Sequence, residues 1–429
     1  MPAIRAGSGA GHAAASPVPP CPGSGPGAGQ PPFPLRLRTA MTAALAASLA
    51  AATSTPALAD EPPRAVELTG SYVADAAGVV DGPRRGLRFV DLLRIDATAD
   101  LDRIAGWQGA RLVATFEAGT GAQPKLLAGT LEGFDNAETT LNRPRLFQAY
   151  LKQDLGHGGS NLKLGFIDLN AEFYATAASS LLLAPPFGIG SELAATGPNG
   201  PSIFPSTAPT VALTLVPARN TYLGLAVINA EARAIGDPGG PAPLLREGAL
   251  LIGEAGWTGG GGQNGGGKLA LGGWAYTRRQ DDERDVDAAG VPVRRRAWGI
   301  YGLIEQPLGS AVTAFLRGGI SDGNTGPFSG SLQAGVLVAH VLPGRPDSRL
   351  SAGLHAGFLA AKYRANLADA GDPQRPLESG WELAYHDRLA PWLAVQPDLQ
   401  FVRTTERNAG SRDAVIATLR LTFTPPGQD

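Results

Sequence analysis

Near its C-terminus the chain alternates: Val415, Ala417, Leu419, Leu421 and Phe423 share one parity, and Ile416, Thr418, Arg420 and Thr422 the other. The scheme recurs in Leu350, Ala352, Leu354, Ala356 and Phe358 against Arg349, Ser351, Gly353, His355 and Gly357. It returns in Val312, Ala314 and Leu316 against Thr313, Phe315 and Arg317, and in Leu393, Val395, Pro397, Leu399 and Phe401 against Ala394, Gln396, Asp398 and Gln400. Successive side chains of a strand point to opposite faces, so each segment carries one apolar face and one face of charges and small polar groups.

A soluble sandwich shows the same alternation with its apolar face inside. Scale and punctuation favour a barrel. Segments of about 10 residues recur along the chain, separated by tight turns such as Leu308-Gly309-Ser310 and by long loops such as Gly256 to Gly267 and Asp281 to Val291, the pattern of an outer-membrane barrel. Candidate strands fall near residues 66–74, 87–98, 109–118, 144–154, 160–168, 209–216, 220–228, 245–257, 268–279, 296–306, 310–320, 330–340, 349–359, 379–388, 392–404 and 413–423. The expected fold is all-β: a closed antiparallel transmembrane β-barrel of about sixteen strands, wide enough to enclose an aqueous channel. In the second strand Asp91 shares a face with Leu87, Phe89, Leu93 and Ile95, which calls for a bulge or another register. Leu101, Ile104 and Ala105 share a helical face, so Leu101 to Trp107 is expected to form a short helix in a periplasmic connection. Gln123 to Asn142 reads as an external loop with a turn of helix.

Three regions precede or make up the barrel. Residues 1–34 are mostly Pro, Gly, Ala and Ser and are expected to be a disordered extension. Residues 35–59 read as a signal peptide, with Arg36 and Arg38, an apolar run from Met41 to Ala52, and the cleavage signal Ala57-Leu58-Ala59. That run is shorter than the roughly 18 residues of a spanning helix, so residues 60–429 are the expected exported barrel. Cys21 is the only cysteine and precedes the cleavage site, which leaves the exported part without disulfides or thiolate metal sites. That part carries 38 acidic and 33 basic residues, a balance that points away from nucleic acid.

Gly165 to Phe204 shows neither a period of 2 nor one of 3.6, and reads as one very long ordered loop between two strands. Loops of that length inside compact proteins are usually functional. The stretch opens Gly165-Phe166-Ile167-Asp168-Leu169-Asn170-Ala171-Glu172-Phe173, turns at Pro185-Pro186-Phe187-Gly188 and closes Gly197-Pro198-Asn199-Gly200-Pro201. It resembles the signature segment of the carbohydrate-selective porin family, a Gly-Arg-x-Asp-x-Asn-x-x-Phe strand exit running into a Gly- and Pro-rich constriction loop. Gly165, Asp168, Asn170 and Phe173 match, whereas Phe166 stands where the family has a basic residue and removes a charge at this point of the pore. The resemblance continues through Pro343-Gly344-Arg345-Pro346-Asp347 and from Leu389 to Gln400. It implies an inward-folded loop in an outer-membrane pore for facilitated diffusion of monosaccharides and related carbohydrates, with a general diffusion pore as the alternative and a structural or adhesive barrel as the third class. The implied partners are carbohydrate solutes, outer-membrane lipids and the barrel assembly machinery, with the protein either monomeric or a homotrimer.

A sugar is uncharged, ringed by hydroxyls and apolar on its faces, so a selective channel needs hydrogen-bonding side chains and aromatic planes. The candidates are Asp168, Asn170, Glu172, Phe187, Glu192 and Asn199 from the loop, facing Arg317, Arg349 and Arg420 from strands by parity. Asp168 and Asn170 have an alternative role in bracing the loop through backbone hydrogen bonds. Trp274 and Tyr276 fall opposite Leu269 and Leu271 and face either the lumen, as stacking platforms, or the interfacial girdle in a shifted register. Trp381 and Tyr385 share the apolar face with Leu383 and belong to that girdle. Arg294-Arg295-Arg296 reads as a solvated loop end. His157, His340, His355 and His386 stand in no catalytic or metal-binding spacing. No enzyme activity, cofactor or metal is therefore expected.

Overall fold

The computed structural model describes residues 64–140, 142–156, 158–259, 266–406 and 413–426. The expected extension and signal peptide, His157, and the tail from residue 427 lie outside the described residues. Nine strands come first: β1 (Val66–Asp81), β2 (Gly86–Asp100), β3 (Ala110–Gly121), β4 (Pro144–Asp154), β5 (Asn161–Ile167), β6 (Ala208–Leu215), β7 (Thr221–Asn229), β8 (Ala249–Thr258) and β9 (Lys268–Tyr276). A small hairpin, β10 (Gln280–Val286) and β11 (Pro292–Arg295), precedes β12 (Trp298–Pro307), β13 (Val312–Ser321), β14 (Phe328–Ala339), β15 (Arg349–Leu359), β16 (Leu377–Ala390), β17 (Leu393–Arg403) and β18 (Ala414–Phe423). Five short helices sit in connections: α1 (Leu101–Ala105), α2 (Lys125–Ala128), α3 (Leu169–Glu172), α4 (Ser191–Ala194) and α5 (Ala361–Asp369).

All strands except the β10–β11 pair join one closed sheet, in which β1 pairs with β18 and every neighbour is antiparallel. Closure leaves no strand edge unpaired, which is what lets a sheet enter hydrocarbon. The faces are inverted relative to a soluble protein. Leu271 and Leu354 are 71% and 61% exposed, whereas Arg317, Gln333 and Glu382 are buried inside the ring. That inversion excludes the sandwich, in which the leucines would be covered. No helix among the described residues is long and apolar enough to cross a membrane.

The start of β1 and the end of β18 lie at the end of the barrel that carries the tight connections, such as residues 308–311 and 391–392, which makes it the periplasmic end. At that rim Trp392 stacks on Phe423 with centroids 6.2 Å apart, and Tyr72 leans on the same ring. Trp381 stacks on Phe401 at 6.2 Å on the outer wall. Asp100 caps α1 by accepting from the N–H groups of Asp102 and Arg103, and Gly106 ends it at φ 71.

Four readings of the sequence are refined. Asp91 does lie on the outward face, and β2 pairs with β1 and β3 without a bulge; the Tyr72 hydroxyl and the N–H and hydroxyl of Thr120 donate to it, so no bulge is needed to hide its charge. Phe166 shares the outward parity of Leu162 and Leu164, so its apolar character bears on the outer wall rather than on the pore. The Gly256 to Gly267 connection joins β8 to β9 at the short-turn end, closed by Gly259 N–H to Gly267 O at 2.6 Å; residues 260–265 lie outside the described set. Asp281 to Val291 is not an irregular loop, because Asp281 to Val286 belong to β10, which pairs with β11 just beyond it.

That outer hairpin is tied to α5 by charge. Buried Asp282 accepts from the N–H groups of Arg284 and Asp285, from Arg295, and from Lys362 Nζ at 2.6 Å. Lys362 also reaches Asp285 at 2.7 Å, and Arg284 pairs with Asp369 at 2.7 Å. Burial opposes ionisation of Asp282, but the Asp285 N–H, Lys362, the Arg284 N–H and Arg295 together hold its carboxyl well below the usual carboxylate range. A depressed folded-state pKa contributes stability above the unfolded value of about 4 and loses it as pH falls toward the folded value. Lys362→Met is therefore expected to speed tryptic cleavage at Arg294 to Arg296, and acid below pH about 4 to loosen the same hairpin. Cleavage rates equal to those of the parent protein would show that the clamp does not hold it.

Candidate functional site

A segment that forms neither helix nor sheet must find other partners for its N–H and C=O groups. The connection between β5 and β6 finds them on the inner wall, so charged strand residues bind its backbone. Glu254 accepts from the Tyr174 N–H at 2.9 Å and from the hydroxyls of Tyr222 and Tyr301 at 2.6 and 2.8 Å. Glu305 accepts from the Ala178 N–H at 2.7 Å, and Glu382 from the N–H groups of Leu183 and Ala184. Arg317 donates to the carbonyls of Tyr174, Pro186 and Gly188 at 2.9, 2.7 and 3.1 Å. Beneath this frame Leu169, Phe173, Tyr174 and Leu193 pack on Ile228, Leu250 and Tyr301. The loop thus lies inside the barrel, against β7–β9, β12–β14 and β16–β17.

The connection between β3 and β4 also turns inward. Glu378 accepts from the N–H groups of Leu131 and Glu132, each at 2.9 Å, and from the Thr130 hydroxyl. Gln400 donates to Phe134 O at 2.9 Å. Arg420 makes a two-pronged pair with Asp75 at 2.8 and 2.7 Å and reaches Asn136 at 2.9 Å and Asp135 at 3.2 Å. Glu132 then joins the two loops, receiving the Ser191 hydroxyl on one oxygen and facing His355 Nδ1 at 3.0 Å on the other.

Between the two loops lies a cavity of about 280 Å³, bordered by Asp135, Asn136 and Glu138 from one and by Asp168, Asn170, Ser179, Ser180, Phe187 and Phe204 from the other. At about 30 Å³ per water it has room for roughly nine waters, or for one small polar solute. Burial pushes the Asp168 and Glu138 carboxyls up to about 7, against the pull of the N–H groups of Asn170 and Lys125. The Asp135 carboxyl is likewise raised, by burial first and then by Asp75, with Arg420 opposing. Two larger depressions, of about 690 and 1080 Å³, are lined chiefly by outward Leu, Ile, Val and Gly of the strands, and so belong mainly to the lipid-facing wall.

The sequence-derived candidates divide sharply. Asp168, Asn170 and Phe187 border the cavity. The first two also brace the loop: Asp168 caps α3, and Asn170 donates to Gly188 O at 2.7 Å. Glu172 pairs with Lys163. Glu192 is buried behind the loop, bonded to Ser331 and the Tyr174 hydroxyl, and Arg317 shares that hidden position. Asn199 is tied to the N–H and C=O of Ala232. Trp274 and Tyr276 do face inward but lie under the loop, with the Tyr276 hydroxyl against Thr196 at 3.1 Å, so neither offers an open ring face. Arg420 serves the β3–β4 loop. Arg349, the first residue of β15, is exposed at the periplasmic end and away from the cavity. Asp135, Asn136, Glu138, Ser179, Ser180 and Phe204 were not among the candidates, although the last three lie in the Gly165 to Phe204 loop; for the first three the signal was the aperiodic, acidic stretch from Glu132 to Glu138.

Gly319-Ile320-Ser321-Asp322-Gly323 carries the Gly-x-Ser-x-Gly spelling, but it ends β13, and Ser321 Oγ donates to Phe328 O at 2.8 Å rather than meeting a histidine. Among the described residues no group of His, Asp and Glu is placed to hold a metal.

No curated protein matches the chain. Among solved structures, the high-pH structure of Pseudomonas putida OprB has a TM-score of 0.70 at 18% identity, covering 84% of this chain and 94% of that one. The low-pH structure of the same protein has a TM-score of 0.52 at 15% identity, covering 84% and 92%. The outer membrane channel DcaP of Acinetobacter baumannii has a TM-score of 0.55 at 12% identity, covering 84% and 96%. The model of the carbohydrate-selective porin, OprB family, matches residues 84–424. With this match over most of a ring that is closed by its own backbone and greasy outside, the chain belongs to the carbohydrate-selective OprB porin family of the outer membrane.

Proposed function

We propose that this porin mediates facilitated diffusion of monosaccharides and related carbohydrates, and that the cavity between the two infolded loops is the station where they pause. The observation that carries this reading is the composition of that cavity: carboxylates, amides and serine hydroxyls beside the rings of Phe187 and Phe204, the pairing of hydrogen-bonding groups and apolar planes that a sugar needs. Asp168 and Asn170 are the wall residues proposed to meet hydroxyls, and Phe187 the one proposed to meet a ring face. In this reading the outward apolar wall meets outer-membrane lipid, and β18, ending on Phe423, is the segment offered to the barrel assembly machinery.

Reconstitution in planar bilayers tests the proposal. Glucose is expected to reduce the ion current in a saturable, concentration-dependent way. An ohmic current indifferent to glucose would instead support a general diffusion pore.

A further inference from the structure

The outward wall is hollow where β8 and β9 present almost no side chain. Gly253 and Gly273 alternate with the buried Ile252 and Trp274, so both fall on the lipid face, and they stand opposite each other in register. Leu225 flanks Gly253 and Ile300 flanks Gly273. The depression of about 690 Å³ is the result, a glycine floor between Leu225 and Leu251 on one side and Trp298 and Ile300 on the other. β12 runs toward the tight periplasmic connection at 308–311, so its first residue, Trp298, stands at the outer boundary of the hydrocarbon, where aromatic girdles form. Arg296, two residues and roughly 7 Å further along, is exposed at headgroup level. Arg279, exposed just past the end of β9, is its neighbour: Tyr276 N–H donates to Ala297 O at 2.9 Å, and Arg279 Nη1 approaches Arg294 O at 3.4 Å.

The other cations of this rim are answered. Arg278 pairs with Glu247 at 2.8 Å, Arg294 with Asp281 at 2.9 Å, and Arg295 with Asp282 and Asp285. Asp322, whose N–H donates to Trp298 O, accepts from the Asn324 N–H and the Thr325 hydroxyl. Among the described residues neither Arg279 nor Arg296 forms an ion pair. Guanidinium groups left in this state at a membrane surface attract phosphate.

We propose that the groove and the two arginines above it form an anchoring site for a phosphorylated, acylated lipid of the outer leaflet. An acyl chain lies on the Gly253 and Gly273 floor between Leu251 and Ile300, and a headgroup phosphate accepts from Arg279 and Arg296. A lipid supplies in one molecule the methylene chain that the hollow takes and the anion that the rim lacks. The site is independent of the carbohydrate reading and gives the outer wall one fixed lipid.

The test is titration of the detergent-solubilised porin with diphosphorylated and with dephosphorylated lipid A, the bound lipid being counted by native mass spectrometry. Arg279→Ser/Arg296→Ser is expected to weaken binding of the diphosphorylated form on the order of tenfold and to leave the dephosphorylated form unchanged. Gly273→Leu fills the floor; a Cβ there meets only Gly299 O at 3.4 Å and Ile300 Cγ2 at 3.5 Å, so the strand accepts it. It is expected to weaken both forms by the same factor. Heat-modifiable migration in detergent gels shows whether each variant has closed its barrel; if the double variant does not, Arg296→Ser decides. Binding of the diphosphorylated form unchanged by loss of the arginines, an equal loss for the dephosphorylated form, or no effect of Gly273→Leu overturns the inference. So does a parent oligomer that Gly273→Leu dissociates, which would give the groove to a second copy of the chain. Block by glucose is expected to be the same in all of these variants, so failure here leaves the carbohydrate reading standing.

Discussion

Deleting Ala177–Pro201 is expected to raise single-channel conductance severalfold while the barrel still closes. The sixteen-strand ring is held by its own inter-strand hydrogen bonds, none of which involves this segment. Ser202 is retained because its hydroxyl bridges Ile167 O and the Ala208 N–H, each at 2.7 Å, and so sets the mouth of the loop. The deletion uncovers Glu305, Glu382 and Gln396, which now bind Ala178, Leu183, Ala184 and Leu181. Those groups would then face water in a wider lumen, where charge is solvated rather than stranded. Planar-bilayer recordings give the answer. Conductance equal to the parent's would mean that the narrowest point lies elsewhere, with the β3–β4 loop as the next place to cut.

The second large effect concerns one side chain. Arg317→Leu is expected to release the long loop from its wall, at a cost of about 1–3 kcal/mol for each buried carbonyl left without a donor. Arg317 is 1% exposed and donates to three carbonyls on two separate turns, with its guanidinium 5.5 Å from the Tyr174 ring centre. Without it those carbonyls lose their shared donor, and this stretch of the loop is left to its contacts with Glu254, Glu305 and Glu382. Arg317→Lys should fall between parent and Leu, because an ammonium cannot span three acceptors as a planar fork does. The readouts are the temperature of the gel-mobility shift and the noise of the open-channel current. A variant as heat-stable and as quiet as the parent would show that the glutamates hold the loop without it.

Arg317 also shows where reading from residues stops. Its inward parity was legible, because Leu316 and Phe315 beside it define the two faces of β13. Its role was not. An inward arginine can line water or bind a loop backbone, and only the position of Tyr174, 143 residues earlier in the chain, decides between them. Trp274 and Tyr276 tell the same story: their parity against Leu269 and Leu271 left the lumen and a shifted-register girdle both open, and the cover over them comes from the infolded loop. The cavity's other wall escaped altogether, since Asp135 and Glu138 sit in a stretch with no period and gain their meaning from Glu378, Gln400 and Arg420 on strands far along the chain.

By itself the amino-acid order determined the sixteen barrel strands and their two faces, though not the β10–β11 hairpin outside the ring; residues 144–154 and 349–359 coincide with β4 and β15 to the residue. It could do so because side-chain alternation is a property of neighbouring peptide units and needs no distant partner. Tertiary structure alone decided that two loops, not one, fill the lumen, and which charges face solute and which hold loop backbone. Aperiodic segments take their course from where the wall offers hydrogen-bonding partners, and those partners are brought together only when the ring closes.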